Sequence, residues 1–572
     1  KKQKMKTLPI ENSISRSPLR RGLLFIAVAV VCFGLAPAPN AFGGVSPAPD
    51  GGYSSGNTAE GTNALFSRTT GVWNTALGYQ ALDHVTTGNQ NTATGFQTLF
   101  KTTTGSLSVA NGSQALYSNT TGSFNTATGF RALYSNTTGG DNTANGYEAL
   151  PFNTTGQDNM ANGFEALFYN TTGIDNTANG SQALYSNTTG NQNAATGWRA
   201  LYSNTIGIDN TANGVQALYL NTTGNYNTAN GNAALMSNTT GTFNAANGQG
   251  ALFNNTTGSD NTANGAGALF SNTIASGNTA NGFQALNDNT TGFDNTATGS
   301  QALFSNTIGL GNTANGFQAL NNNTTGNQNT ATGVGALSSN TIGLNNTGNG
   351  YQALYGNTSG SYNIALGDSA GAALTTGFYN IYIGNPGTSN GESNTIRIGD
   401  ANQTRAFIAG IYSVNEGGTP AAVYINSNNQ LGTMSSSRRF KKEIKPMDQT
   451  SKAILGLKPV TFEYKIDPSG TAQFGLIAEE VAQVDPDLEV RDAQGEIYSV
   501  RYEAVNAMLL NEFLKEHRKV QQHETTMAQL KQDFQSKLAE QQKQIKALAS
   551  GLEKVSAQLE VSKPARTVVN KQ

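Results

Sequence analysis

Residues 129–146 read GFRALYSNTTGGDNTANG, and close copies of this segment recur through more than half of the chain. The recurring glycine stands at intervals of 17 residues from Gly61 to Gly367, without one insertion or deletion. A fixed period of this length is typical of solenoids, in which each coil contacts mainly its two neighbours. The sequence therefore predicts a rod, whose function must lie on its surface or at its ends.

Each coil offers little material for a core. Its recurrent apolar positions are represented by Ala132, Leu133 and, in many coils, an aromatic residue such as Tyr134. Stacking should turn these positions into internal columns. Two glycines in each coil, here Gly139 and Gly146, are interpreted as corners because glycine accepts a positive φ. Since the remainder is poor in helix formers, we predict one or two short strands and a tight turn per coil.

Polar columns run beside the apolar ones. Asn136 and Asn142 recur in register, and asparagine ladders can hydrogen-bond from coil to coil. Thr137 and Thr143 recur as well. Flat rows of Thr and Asn leave open an alternative function, in which the rod binds a glycan or ice.

The composition excludes several partners. Charged residues make up 12% of the 572 residues, and the formal net charge is -2. Typical soluble proteins carry about 25% charged residues. We therefore expect no broad attraction to nucleic acid or to an anionic membrane. No phosphate-binding loop or metal cluster stands out, so we predict no cofactor and no metal site.

The N-terminal region has the order of a secretory signal peptide. Basic residues precede an apolar run over 23–35, and small residues follow. We predict cleavage after Ala41, which makes the mature protein secreted or exposed at the cell surface. A membrane anchor is the alternative, but the run is shorter than the roughly 20 residues needed to span a bilayer. Cys32, the only cysteine, lies in this run, so we expect no disulfide in the mature chain.

The repeats resemble a known family of surface proteins. The segment NTALGYQAL over 74–82 is similar to the head repeats of trimeric autotransporter adhesins. That resemblance implies a β-roll packed as a trimer, although the adhesin repeats are usually shorter. The adhesins end in a membrane β-barrel, whereas the last residues here, 568–572, follow a charged segment. We therefore expect no integral membrane anchor in the mature chain.

The composition becomes charged at Ser435. The segment SSSRRFKKEI over 435–444 is followed by FGLIAEEV over 474–481 and PDL over 486–488. A helical pattern then begins near residue 502. These ordered motifs resemble the peptidase S74 family of intramolecular chaperones, which opens with Ser-Asp-x-Arg-x-Lys-x-x-Ile.

That resemblance implies a domain that trimerises, helps a β-rich stalk to fold and then cuts itself off. Carried over to this chain, Ser436 attacks the carbonyl of Ser435, and Lys441 acts as the general base. Ser437 stands where the family has Asp, so Ser435 and Ser437 remain alternative nucleophiles. The protein would be a self-cleaving serine endopeptidase that acts once, in cis. The alternative is a basic loop on a noncatalytic trimerisation domain.

Heptad spacing marks the last part of the chain. Leucine or isoleucine recurs every seven residues, with a second apolar series interleaved three or four residues away, which is typical of a coiled coil. The first series is Leu538, Ile545, Leu552 and Leu559, and the second is Phe534, Leu548 and Val555, with Gln541 as a polar member. The expected partner is therefore the protein itself, and the resemblance to the S74 family implies a homotrimer.

Together these patterns predict a mainly β protein, a secreted fibre or adhesin-like structural protein with a possible host-surface or glycan ligand. A permanent trimer that never cleaves is the alternative reading. The predicted regions are a signal peptide over 1–41, a linker over 42–60, the 17-residue-repeat β-solenoid over 61–367, a β-rich neck over 368–434, a small α+β S74-like chaperone over 435–520, an α-helical coiled coil over 521–560 and a disordered tail over 561–572.

Overall fold

The computed structural model describes residues 52–562, apart from 54, 390, 410, 412–421, 427, 429 and 493. The predicted signal peptide, Ala41, Cys32 and residues 563–572 of the tail lie outside these residues. The chain divides after Ala406 into two compact units, and each is considered by itself.

The first unit is a β-solenoid with one short strand per coil. Its strands form one sheet of 22, in which β1 pairs antiparallel with β2 and all the others pair in parallel. Thr126, for example, lies opposite Thr143, a shift of 17 residues. The predicted mainly β solenoid is thus confirmed. The strands are β1 Gly52–Tyr53, β2 Asn57–Glu60, β3 Thr75–Leu77, β4 Thr92–Thr94, β5 Val109–Asn111, β6 Thr126–Thr128, β7 Thr143–Asn145, β8 Met160–Asn162, β9 Thr177–Asn179, β10 Ala194–Thr196, β11 Thr211–Asn213, β12 Thr228–Asn230, β13 Ala245–Asn247, β14 Thr262–Asn264, β15 Thr279–Asn281, β16 Thr296–Thr298, β17 Thr313–Asn315, β18 Thr330–Thr332, β19 Thr347–Asn349, β20 Ile364–Leu366, β21 Ile381–Ile383 and β22 Ile396–Ile398.

Alanine and leucine form the thin core that the sequence predicts. In β7 only the central Ala144 points inward, because side chains alternate across a strand. Ala132 and Leu133 of the turn segment are also fully buried. Leu133 has a φ of 53°, which is uncommon for a residue with a side chain. Its N–H donates to Ala149 O at 3.0 Å, so the neighbouring coil holds this conformation.

The aromatic column does not enter the core, and here the prediction was wrong. Tyr185 and Tyr202 lie half-buried on the surface, with their rings stacked at 5.0 Å. An interior bounded by alanine columns is too narrow for a ring, because protein interiors are closely packed. The aromatic residues therefore stack on one another along the outside.

The two glycine columns have different physical causes. Gly146 has a φ of 148°, and a Cβ there would lie 2.3 Å from Gly163 O. Gly139 lies outside the positive-φ range, so its interpretation as a positive-φ corner was wrong. A Cβ on Gly139 would instead lie 2.3 Å from Gly156 O and 2.5 Å from Asn136 Oδ1. Close approach of the coils is what favours glycine at that position.

Two buried asparagine ladders join the coils, as the recurrent asparagines predicted. In the first, Asn142 Nδ2 donates to Asn125 Oδ1 at 3.2 Å and to Gly156 O at 2.9 Å. In the second, Asn136 Nδ2 donates to Asn119 Oδ1 and to Gly139 O, both at 2.8 Å. A buried amide is costly unless it is hydrogen-bonded, so each ladder is satisfied only when successive coils stay in register.

The parallel sheet continues beyond Gly367 and ends in a cap. β21 pairs with β20 at the 17-residue shift, and β22 pairs with β21 at a shift of 15. Tyr382 takes the alanine position in β21 and is fully buried. Its hydroxyl donates to Glu392 Oε1 at 2.9 Å, and Arg397 Nη2 donates to Glu392 Oε2 at 2.7 Å. Burial alone would raise the pKa of Glu392, but these hydrogen bonds outweigh it and lower that pKa.

The second unit is a small α+β structure, as predicted for the chaperone region. Its core cluster contains few fully buried apolar side chains, namely Val481, Leu488, Val500 and Met508. Its strands form three antiparallel hairpins. The elements are β23 Val423–Ile425, β24 Leu431–Thr433, β25 Val460–Phe462, β26 Gln473–Gly475, α1 Ala478–Val484, β27 Glu489–Arg491, β28 Ile497–Val500 and α2 Tyr502–Val561, with 3₁₀ turns at Arg438–Phe440, Thr450–Gly456 and Pro486–Leu488.

Helix α2 joins two predicted segments. It has 60 residues, and at 1.5 Å per residue it extends for roughly 90 Å. The helical pattern near 502–515 and the heptads over 521–560 therefore belong to one continuous helix. Every residue over 516–562 is exposed, including the whole apolar series of the heptads.

Candidate functional site

The serine-rich segment precedes a single 3₁₀ turn. Ser437 is the N-cap of the turn Arg438–Phe440, and Phe440 N–H donates to Ser437 O at 3.0 Å. Lys441 closes the turn by donating its own N–H to Arg438 O at 3.1 Å. The turn reverses the chain locally and brings the side chain of Lys441 back towards the serines.

Lys441 and Ser436 are brought together by this turn. Lys441 Nζ donates a hydrogen bond to Ser436 Oγ at 3.2 Å. That distance is within the range expected of a nucleophile and its base. Ser435 and Ser437 make no side-chain hydrogen bond to Lys441 in the described chain. The geometry therefore pairs the lysine with the same serine that the motif alignment selects.

The surroundings of this pair are open. Ser435, Ser436 and Lys441 are all exposed, and so is Phe440, with 64% of its surface accessible. The Arg439 guanidinium lies over the Phe440 ring, 4.6 Å from its centroid. A lysine amine accepts a proton near neutral pH only when it is withdrawn from water. Among the residues that the structure describes, none covers the pair.

A second serine–lysine contact was not predicted from the sequence. Ser451 is fully buried, and Lys515 Nζ donates to its Oγ at 3.0 Å. Ser451 also donates to Glu512 Oε1, and Asn511 Nδ2 donates to Ser451 Oγ at 2.7 Å. The hydrogen bonds from Lys515 and then Ser451 lower the pKa of Glu512. The carboxylate keeps Lys515 paired, so this cluster fastens a 3₁₀ turn to α2 and does not resemble an activated nucleophile.

A broad apolar groove opens beside the same helix. Its volume is about 890 Å³, and Phe474 on its wall is 83% exposed. An open groove lined by apolar side chains is a candidate binding surface. The side chains that form it come from a 3₁₀ turn, the β25–β26 hairpin and the start of α2, namely Ile454, Leu457, Val460, Phe474, Leu476, Tyr502, Val505 and Leu509.

The surface of the solenoid presents few candidate functional side chains. Thr137 Oγ1 donates to Thr154 O at 2.9 Å, so this threonine column is engaged in joining coils. The Thr143 column lies on the outer face of the sheet, one residue before the buried alanine column. Among the residues that the structure describes, no three His, Cys, Asp or Glu side chains are grouped to hold a metal ion. No described helix is both long and apolar enough to cross a membrane.

The fold and this site define a β-solenoid and a small α+β unit that contains a serine–lysine pair. Residues 436–488 match the model of the peptidase S74 family, described as the chaperone of endosialidase. The match begins at Ser436, and it confirms the resemblance seen in the motifs. No curated protein and no solved structure matches the chain.

Proposed function

We propose that this protein is a secreted structural fibre whose second unit assembles three copies, promotes folding of the solenoid and then cuts the chain between Ser435 and Ser436. The hydrogen bond between Lys441 and Ser436, at the first residue of the matched segment, carries this proposal. The solenoid is the durable product. The second unit acts during assembly.

Assembly is supported by apolar surface that the single chain leaves uncovered. The heptad series of α2 is exposed, with Leu548 and Leu552 at 73% and 74%. A lone helix of this length without tertiary contacts gains little from burial, whereas a coiled coil buries both seams. The groove beside α2 adds a second apolar surface in the same unit. Three copies would cover these surfaces together.

A role in folding follows from the topology of the solenoid. Parallel strands cannot pair until the chain between them has closed a loop, which makes such sheets slow to form and exposes their edges. Each asparagine ladder is satisfied only by coils in register, as in the hydrogen bond from Asn142 to Asn125. An assembly domain that holds three chains together would favour one starting register over the alternatives.

The proposed cleavage uses only the residues already present. Lys441, as the neutral amine, takes the proton from Ser436 Oγ, and this oxygen forms a bond to the carbonyl carbon of Ser435. The bond from that carbon to Ser436 N then breaks, and the leaving nitrogen receives the proton from Lys441. Water hydrolyses the resulting ester and frees the carboxyl group of Ser435. No cofactor or metal is needed.

Exposure of Lys441 in the single chain gives a reason for cleavage to follow assembly. Lys441 is exposed, and its Nζ donates a hydrogen bond to Ser436 Oγ. Covering the segment between copies would remove water and favour the neutral amine. The cut would therefore wait until the copies have met.

Intact-mass spectrometry of the full chain tests this proposal. The wild-type protein should give two fragments with the break between Ser435 and Ser436, and Ser436→Ala should remain whole. Ser437→Ala is the matched control, and it should still be cut. A wild-type chain that stays whole while forming a trimer would favour the permanent, uncleaved fibre instead.

A further inference from the structure

Two adjacent columns form a ridge along the solenoid. The first column consists of the residue that follows each recurring glycine, and the second column consists of the next residue along the chain. In most coils at least one of the two is large, as in Tyr79-Gln80 and Trp198-Arg199. In three successive coils the second column is reduced to Ala or Gly, as in Asn232-Ala233, Gln249-Gly250 and Ala266-Gly267, which interrupts the ridge.

The interruption opens a depression of about 430 Å³, here called the notch. Phe253 and Phe270 line it, with rings stacked at 4.9 Å and nearly parallel, and Phe283 stands at its edge, 54% exposed. A Cβ on Gly250 would lie 3.4 Å from two atoms of the Phe270 ring. The missing side chain therefore leaves that ring accessible from the ridge.

Amide groups surround these rings, and none of the described side chains that line the notch is charged. Asn232, Gln249, Gln284 and Asn287 contribute the polar atoms. Asn287 Nδ2 donates to Gly267 O at 2.9 Å, which fixes the orientation of this amide. The notch thus combines aromatic rings, of which Phe283 is the most exposed, with uncharged donors and acceptors at its rim.

We propose that the notch binds a sugar ring of an uncharged polysaccharide. A pyranose presents a flat face of C–H groups to an aromatic ring and hydroxyl groups at its edge, which suit the phenylalanines and the amides here. The absence of charge in the lining argues against anionic or cationic ligands. The volume falls within the range of roughly 300–1,000 Å³ that is usual for ligand sites. An interface between parallel rods would run along the ridge, whereas the notch is confined to a few coils.

The repeat itself supplies a variant that should fold. Gln occupies the position of Gly250 and Gly267 in many coils with a similar φ, such as 53° at Gln284. The double variant Gly250→Gln/Gly267→Gln therefore restores the common coil and fills the notch. Gly335→Gln makes the same change where large neighbours already flank the site, so it is the matched control.

Binding is measured on the full chain by isothermal titration and affinity electrophoresis, with soluble glucans, xylan, galactan and mannan as probes. We expect the wild-type protein and Gly335→Gln to bind at least one of these polymers. The double variant should bind this polymer at least tenfold more weakly. Phe270→Leu should reduce the affinity more than Phe304→Leu, because Phe304 belongs to the same column but lies one coil beyond the notch.

Three results would overturn the proposal. One is a wild-type protein that binds none of these polymers. Another is equal binding by the double variant and Gly335→Gln. The third is a change of sedimentation coefficient on filling the notch, which would make it a contact between copies. None of these readouts depends on cleavage at Ser436.

Discussion

Asn357 Oδ1 is buried without a hydrogen-bond partner, one coil before Leu374, which occupies the next position of the same column. At the other end of this ladder, Thr102 Oγ1 lies one coil before Asn119 and is also buried and unpaired. Among the described residues of the solenoid, these are the two buried side-chain atoms that lack a partner. The ladder is therefore satisfied along its length and unsatisfied at its ends.

The loss of stability on replacing one asparagine should depend on its position within the ladder. Asn238→Leu removes the donor to Asn221 Oδ1 and the acceptor of Asn255 Nδ2, and each stranded group costs about 1–3 kcal/mol. Asn357→Leu strands Asn340 Oδ1 and removes a donor to Gly360 O, but the oxygen that it deletes is already unpaired. Thermal unfolding of the full chain should show the larger loss for Asn238→Leu. Equal losses would contradict the ladder as a source of stability.

The two glycine columns should also respond differently to alanine. Gly146→Ala combines a positive φ with a Cβ placed 2.3 Å from Gly163 O. Gly139→Ala lacks the first penalty, and Ala275 already occupies that column in one coil. We expect Gly146→Ala to destabilise the solenoid by several kcal/mol and Gly139→Ala to be milder. Guanidinium unfolding compares the two, and the reverse order would refute this explanation.

Much of the solenoid could be predicted because every coil repeats the same sequence pattern. The period, the alanine and leucine columns and the asparagine ladders all follow from residues such as Ala144 and Asn142. The cap could not be predicted, because Tyr382 looks like a strand residue until the end of the stack provides space for its ring. The positive φ of Leu133 could not be predicted either, because a hydrogen bond to the neighbouring coil stabilises this conformation.

The two serine–lysine contacts also differ in whether the sequence could predict them. Ser436 and Lys441 are five residues apart, so a local motif could suggest their contact. Ser451 and Lys515 are separated by 64 residues and belong to no recognisable pattern. Their contact depends on how α2 packs against the 3₁₀ turn, which only the folded unit defines.

Acid should loosen that packing. The pKa of Glu512 is lowered in the folded unit, so its contribution is present above the ordinary carboxyl pKa and is lost as the pH falls through the lowered value. The protection of the Thr450–Gly456 amides against hydrogen exchange, relative to the chemical rate at each pH, should therefore fall as the pH drops below the ordinary carboxyl pKa. In Glu512→Gln this loss of protection should be absent. Its persistence would assign the effect to another group.

The heptad seam of α2 should control assembly. Leu548→Asp places a charge in the apolar series and should abolish the oligomer, because an unpaired buried charge is costly. Ser550→Asp adds the same charge two residues away, outside the seam, and should leave the oligomer intact. Analytical ultracentrifugation of the two full-length variants separates these outcomes. An oligomer that survives Leu548→Asp would show that α2 does not hold the copies together.

Native mass spectrometry of the full-length Ser436→Ala protein tests the central proposal most directly, because this variant keeps the assembly unit attached. We expect a particle of three intact chains that retains the solenoid. A particle of one intact chain, folded and stable at micromolar concentration, would contradict it.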